Sequence, residues 1–445
     1  TDTSVEARAV LNQILTKSFG VASVAPQGNI AAIFDPMVSP DSSYEALVDA
    51  KLAPPKQTVS DIRKALEANI IEGRIAGFPL AQMDGQLTRE AAHSALATQG
   101  SVPALITQEV RDAVLLRHVF YELYEEPNAQ ITVAAEVARN SADNRVATAQ
   151  FADLALDALS LASIFFLAAI GLAITFGVMG VINMAHGEFI MMGAYTGYVV
   201  QQFIPNYTVS IFVALPLAFA VTFVAGVVIE RLVISRLYHR PLETLLATFG
   251  VSIALQQLAK NIFGTQARPL TSPDWLAGAW VVNDIIQISF IRIAIFILAL
   301  LFLCLIIYIL KRTRLGLEVR AVTQNSGMAS SMGINPDRIN MLTFGLGSGI
   351  AGIAGVAIGL YAKVTSEMGS DYIVQSFMTV VVGGVGNVWG TLAGAAMIGF
   401  GQKWIEWLNP SNTLAAQTYM ILFVILFIQF RPKGIVALKG RAAGD

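Results

Sequence analysis

The sequence predicts an all-α fold: a polytopic bundle of transmembrane helices with a broken helical hairpin near the C-terminus, preceded by a small soluble helical domain. Three observations predict it. Hydrophobic residues make up 55% of the 445 and charged residues only 13%, with a mean hydropathy of +0.60, whereas a soluble domain is nearer ~25% charged. Apolar runs of spanning length recur from about residue 156 to the end, and none occurs in residues 1–155. A glycine cluster (Gly383, Gly384, Gly386, Gly390) interrupts one late apolar run. Transporters use such breaks to present backbone groups to a pore.

Residues 1–155 carry dispersed charges. Within them VSDIRKALEANIIEGRIAGF and QEVRDAVLLRHVFYELYEE show apolar positions three and four apart, the pattern of amphipathic helices. Thr58 and Ser60 are candidate N-caps, and Ala53-Pro54-Pro55 marks a break before them. No metal-ligand cluster, nucleophile-base pair or phosphate loop stands out, so a scaffold or docking module is expected. The chain begins at Thr1 without Met, which fits a removed secretory signal and equally a shortened chain.

The apolar run 160–204 has two side chains able to carry charge, His186 and Glu188. One crossing takes ~20 residues, so two passes are expected to meet at residues 183–188. Small residues fill both arms (Gly171, Gly177, Gly180, Gly193, Ala194, Gly197), and Gly193-x-x-x-Gly197 lets backbones approach closely in lipid. Glu188 admits two readings. At membrane depth it marks a functional site, because a charge there costs ~2.5 kcal/mol or more without compensation. At a cytoplasmic turn it would favour the N-terminus of the second helix. His186 reads as a satisfied structural histidine.

A third span is expected at 207–228, ending at Glu230-Arg231, and a fourth at 243–263. Thr244, Thr248, Gln256 and Gln257 make the fourth less apolar, so that face should meet protein or water. Residues 264–292 are wet; IIQISFIR alternates as a short hairpin would, and Trp275 and Trp280 suit an interface belt. A fifth span at 293–310 contains the lone cysteine, Cys304, which can form no intrachain disulfide. After a basic loop at 311–338 comes a sixth span at 341–361. Its glycines (Gly345, Gly347, Gly349, Gly352, Gly355, Gly359) require close neighbours. The interrupted run is 372–407, expected as two half-helices, and 417–430 closes the set before the tail RPKGIVALKGR.

Positive charge orients the bundle. Arg231, Arg236 and Arg240 fall in one loop, Lys311, Arg312, Arg314, Arg320 and Arg338 in another, and Arg431, Lys433, Lys439 and Arg441 in the tail. These regions are expected to be cytoplasmic. Counting spans then places residues 1–155 outside and has 372–407 enter and leave by the outer face. A net charge of -2 with no basic run sets nucleic acid aside. No G-x-x-x-x-G-K-[ST] loop is present, so the chain does not cradle ATP itself.

The motif NMAHGE followed by a Gly-Ala-Tyr helix, together with ERLVISRLYHRPLETLLATFGVSIALQQ, RTRLGLEVRAVTQN, FGLGSGIAGIAGVA, VVVGGVGNVWGTLAGA and RPKGIVALKGR, resembles the permease subunits of ABC importers for branched-chain amino acids and related small solutes. The later segments point to the urea branch. The resemblance covers roughly 153–441, about two thirds of the chain, and none of the N-terminal domain. It implies a permease domain at 156–445 in a bacterial inner membrane, not an enzyme and without cofactors. The implied partners are a homologous second permease, cytoplasmic ATP-binding subunits, a periplasmic solute-binding protein, the bilayer and a small neutral or zwitterionic solute.

On the same resemblance, Ala329, Ser330, Ser331, Met332 and Gly333 form the short helix that docks on the ATPase. Small residues favour a compact helix, and Gly333 with Pro336 stops it. The expected translocation path comprises Asn183, His186, Glu188, Thr248, Gly384, Gly386 and Asn387. Of these, Asn183, Thr248 and Asn387 are neutral hydrogen-bonding groups suited to urea, and equally to stitching helices together. The alternatives are a branched-chain amino acid or short amide as substrate, or a gradient-driven carrier with Glu188 as its one ion-coupling group. A membrane-embedded enzyme lacks any supporting constellation.

Overall fold

The computed structural model describes residues 5–436 except His239 and Asp284. Thr1, and Lys439 and Arg441 of the basic tail, lie outside the described residues, as does 437–445 at the end of the expected permease domain. The chain divides into two compact units, Thr1–Val146 and Ala147–Asp445, whereas the sequence places the change at 155/156.

The first unit is not purely helical. It runs α1 (Val5–Ile14), β1 (Lys17–Ala22), β2 (Ile30–Phe34), α2 (Pro40–Asp49), α3 (Val59–Ala68), a two-residue pair β3 (Arg74–Ile75) and β4 (Phe78–Pro79), α4 (Gln86–Thr98), α5 (Gln108–Leu115) and β5 (Val119–Tyr124). Strands β1, β5 and β2 form an antiparallel sheet with β5 in the middle. The stretch read as one helix from Gln108 therefore turns into a strand after Leu115. Its second half, VFYELY, is aromatic and β-branched and fits a half-buried pleated surface. Phe120 from that strand packs with Tyr44, Leu47 and Leu115. The expected start of α3 is as observed: Thr58 Oγ1 accepts from Asp61 N–H while Asp61 accepts from Thr58 N–H, a reciprocal cap. That helix stops at Ala68, earlier than its periodicity suggests, and Ile75 instead joins Leu66, Ala92 and Leu96 in a second small core.

The helix α6 (Ala129–Met179) begins in the first unit and ends in the second. The second unit continues with α7 (His186–Phe203), α8 (Tyr207–Leu232), α9 (Pro241–Phe263), the hairpin β6 (Ala279–Val281) and β7 (Gln287–Ser289), and α10 (Phe290–Arg312). It closes with α11 (Arg314–Gln324), α12 (Ser326–Ser331), α13 (Pro336–Tyr361), α14 (Met368–Gly383), α15 (Val388–Leu408) and α16 (Thr413–Phe430). Among the described residues, α6, α8, α9, α10, α13 and α16 are long and apolar enough to cross a membrane, and the pair α14 and α15, bent by 119° at its break, makes a seventh candidate.

The helix α7 is not apolar enough to count among them. It need not be, because its residues from His186 to Met191, with Gly193, Ala194 and Tyr195, are buried among protein neighbours. The contact with α13 is made by missing side chains. A Cβ on Gly193 would lie 2.0 Å from the Gly352 carbonyl oxygen, and one on Gly355 would lie 1.9 Å from that of Ile190. The glycine-rich span is thus buried on nearly all sides, as its composition predicts.

Candidate functional site

The chain leaves α6 at Met179 and turns back. Gly180 adopts φ 65°, a conformation glycine enters without strain. His186, six residues on, donates from Nε2 to the Ala168 carbonyl at 2.8 Å. Because Ala168 lies eleven residues before Met179, residues 180–185 climb back along α6 by about 16 Å. Asn183 shapes the turn: its Oδ1 accepts from Ala185 N–H at 3.0 Å. Thr248 of α9 holds the other side, accepting from Met184 N–H at 3.2 Å.

Glu188 lies in the first turn of α7 and is 1% exposed. Ser252 Oγ and Gln256 Nε2 both donate to its Oε1 at 2.9 Å. Since Ser252 is the midpoint of the 23-residue α9, the carboxylate sits deep, not at a surface turn. It occupies a helix N-terminus all the same, where the dipole favours negative charge. Its Oε2 has no hydrogen-bond partner among the described residues and faces Gly369, while Gln256 also donates to Ser370 Oγ at 2.6 Å. Glu188 therefore ties α7 to α9 and, through Gln256, to α14.

Gly384, Gly386 and Asn387 lie elsewhere, in the break between α14 and α15. Gly384 and Gly386 take φ 107° and 77°, which side chains resist. Ile435 and Val436 N–H donate to the Val382 and Gly383 carbonyls at 2.8 and 3.0 Å, satisfying the end of α14. Asn387 Oδ1 accepts from Trp389 and Gly390 N–H and caps α15. The arms are 16 and 21 residues long, about 24 and 32 Å, and they meet at a bend of 119°. They meet beside Lys433, and a Cβ on Gly177 at the end of α6 would lie 2.1 Å from Gly386 Cα. This is the basic end of the bundle.

Two cavities flank the α6 and α14 seam. At the basic end, about 600 Å³ is enclosed by residues that include Gly177, Lys311, Arg320, Asn325, Gly386 and Asn387. Toward the other end, about 640 Å³ is lined by Phe165, Lys363, Asp371, Gln375, Met378 and Gln402 among others. Between them Ala169, Leu172, Ala173 and Val380 close into an apolar layer backed by Phe176 and Phe377. An apolar layer between two cavities can hold a path shut until helices move.

The short helix α12 differs from expectation in one respect. Ala329 is 5% exposed and packs with Val319, Val322 and Ile339, so it faces the protein's own interior. Ser330 and Ser331 are exposed, and Gly333 ends the turn at φ 83°. The outward apolar face is Leu317, Met328 and Met332, at 62%, 63% and 77% exposure.

Residues 154–429 match the family model described as branched-chain amino acid transport system / permease component. The chain belongs to this family. The permease is 26% identical over 295 residues to the high-affinity branched-chain amino acid transport system permease protein BraD of Pseudomonas aeruginosa, covering 63% of this chain and 94% of that one. It is 28% identical over 292 residues to LivH of Escherichia coli K12, covering 62% and 92%, and 22% identical over 319 residues to LivM of Salmonella typhimurium, covering 65% and 73%. No solved structure matches. The match begins after the first unit, and the urea branch finds no specific support among these relatives.

Sequence reasoning missed Lys363 and Asp371 in this permease because they precede the apolar run 372–407, and Gln375 because it is a single polar residue inside that run. The polar string from Lys363 to Asp371 at the mouth of that run was the available signal. Gln375 Oε1 is buried there without a partner among the described residues.

For Glu188 the geometry gives a test. Glu188→Gln is expected to keep the permease folded, since an amide oxygen accepts the same two bonds. Glu188→Leu should lower stability by about 2–3 kcal/mol, the scale of bonds to a charged group left unmade. Thermal unfolding of the purified variants checks this; equal midpoints for the two would show that the bonds contribute nothing.

Proposed function

We propose that this permease is the membrane-spanning subunit of an ATP-driven bacterial importer that carries small zwitterionic solutes with apolar side chains along the α6 and α14 seam. The observation that carries the reading is the second cavity. Its lining places Lys363 and Asp371 around apolar walls from Phe165, Met368, Met378 and Leu414. Opposite charges beside an apolar surface complement the carboxylate, ammonium and side chain of an amino acid. The names of these relatives, which specify branched-chain amino acids, support the same class.

Urea, the substrate read from the sequence, is served less well. It carries no charge for Lys363 or Asp371 to meet. Thr248 and Asn387 are committed to a turn and a cap, and Asn183 Oδ1 to a turn, while Asn183 Nδ2 is buried without a partner among the described residues. Gly386 and Asn387 line the basic-end cavity, so the path reaches them, while Asn183, His186, Glu188 and Thr248 brace its wall.

Energy comes from cytoplasmic ATP-binding subunits docked at α11 and α12, with a homologous second permease and a periplasmic binding protein completing the importer. The charge pattern supports a cytoplasmic basic end, and with it we infer a periplasmic first unit. Labelled leucine and labelled urea supplied to cells expressing the full importer test the reading. Leucine uptake should be saturable, urea uptake should stay at background, and Asp371→Asn should weaken apparent leucine affinity about tenfold, as loss of a charge-assisted contact does. Urea uptake that excess leucine leaves unchanged would overturn the substrate assignment.

A further inference from the structure

An apolar groove of about 340 Å³ opens between α7, α8 and α9, away from both cavities of the transport seam. Met192, Leu217, Leu255, Leu258, Ile262 and Phe263 supply much of its wall. Leu217, Leu258 and Ile262 are 43%, 54% and 64% exposed, so the groove faces outward from the bundle. It occupies the last third of α9, from Leu255 to Phe263, a length of about 12 Å. Its one hydroxyl on the wall besides Tyr195, that of Thr196, is turned back to the Met192 carbonyl. Tyr195 lines the inner wall and stacks flat on Phe263 at 4.2 Å.

A cation stands at the mouth. Arg268 donates from Nε and Nη2 to the Phe263 carbonyl, which caps the end of α9 and accounts for part of its role. Its guanidinium also lies 5.9 Å from the centre of the Tyr198 ring, and paired backbone bonds to Val364 fix its position. A guanidinium has five donor hydrogens. Nη1 of Arg268 has no hydrogen-bond partner, and no carboxylate lies in salt-bridge range of the side chain, among the described residues. The neighbouring cation on α9, Lys260, is already paired with Glu367 at 3.1 Å. Exposed Trp275 and Trp280 belong to the same stretch after α9, the residue type that gathers at headgroup level.

We propose that the groove and Arg268 form a binding site for one anionic phospholipid, with an acyl chain along α9 and the phosphate on the free guanidinium edge. An acyl chain fits because the outward wall is apolar and the surrounding helices face hydrocarbon; the one lining hydroxyl without a partner among the described residues, that of Tyr195, is buried on the inner side. A phosphate fits because the planar fork pairs with phosphate oxygens in two-point geometry. Both halves of one lipid are satisfied together, which distinguishes the site from ordinary annular contact. The site is independent of what the permease transports.

The test uses the full-length permease purified in detergent with phosphatidylglycerol and, separately, phosphatidylcholine, followed by detergent washing and quantification of retained lipid. The unmodified permease should retain phosphatidylglycerol in preference. Leu258→Trp, on an exposed face, fills the groove and should reduce retention of both lipids about tenfold, whereas Arg268→Gln should remove only the preference, about tenfold as for a lost charged hydrogen bond. A photoreactive side chain at Leu258 should form its adduct with lipid. Retention unaltered by Leu258→Trp, or an adduct with another protein's helix, would overturn the proposal.

Discussion

Gly355→Ala is expected to deprive the membrane of folded permease, and Gly355→Leu to do so completely. The first added carbon would lie 1.9 Å from the Ile190 carbonyl oxygen, 2.8 Å from its carbon and 2.9 Å from Ala194 N. All three are backbone atoms of α7, so no rotamer change relieves the clash, and the helix pair must separate. Overpacking a core typically costs about 1–3 kcal/mol when side chains can yield; against a backbone the cost rises above that range. Separation also strands α7, whose His186 and Glu188 are tolerable in a membrane only while enclosed. Gly250→Leu is the control, because nothing lies within 4 Å of a Cβ there. Yield of monodisperse protein after extraction should collapse for the Gly355 variants and stay normal for Gly250→Leu. A normal yield of Gly355→Ala would mean that α7 and α13 are not in backbone contact.

Replacing both Met328 and Met332 with Asp is expected to uncouple the importer while leaving the permease inserted. These side chains, with Leu317, form the exposed apolar face around α12, and truncating buried interface anchors typically costs about 2 kcal/mol or more each. Charges placed there should lower ATP hydrolysis stimulated by binding protein by more than about tenfold. Ala329→Trp acts differently. Ala329 belongs to the core made by Val319, Val322 and Ile339, so tryptophan would dislodge α12 from α11 and α13 before any partner is met. Stimulated hydrolysis at the unmodified level in the double Asp variant, with assembly intact, would remove this face from the coupling contact.

What the sequence revealed and concealed follows from the physics of each segment. The glycines of α13 were legible because in lipid they have no use except close packing. The break at Gly384 to Asn387 was legible from glycine density, but the arm lengths were not, since hydropathy does not say at which depth a break lies. The depth of Glu188 depended on which turn of α9 it met, a tertiary contact with no local signature. The strand β5 was read as helix because apolar spacing in a short window satisfies both periods, and the decision fell to Phe120 finding Tyr44 and Leu47. Ala329 was read as outward because small residues suit docking; small residues also suit burial under a turn, and that use prevailed. Lys363 and Asp371 stood in a polar string at the mouth of an apolar run, but their place on a cavity wall depended on the chain after α13 folding back beside α6.

The most direct measurement is ATP hydrolysis and leucine accumulation by the assembled importer in vesicles, with and without leucine-loaded binding protein. ATP-driven import through this permease predicts that loaded binding protein accelerates hydrolysis, that accumulation requires ATP, and that the Met328 and Met332 double variant loses both. Accumulation that persists without ATP and collapses when an ion gradient is dissipated would contradict it.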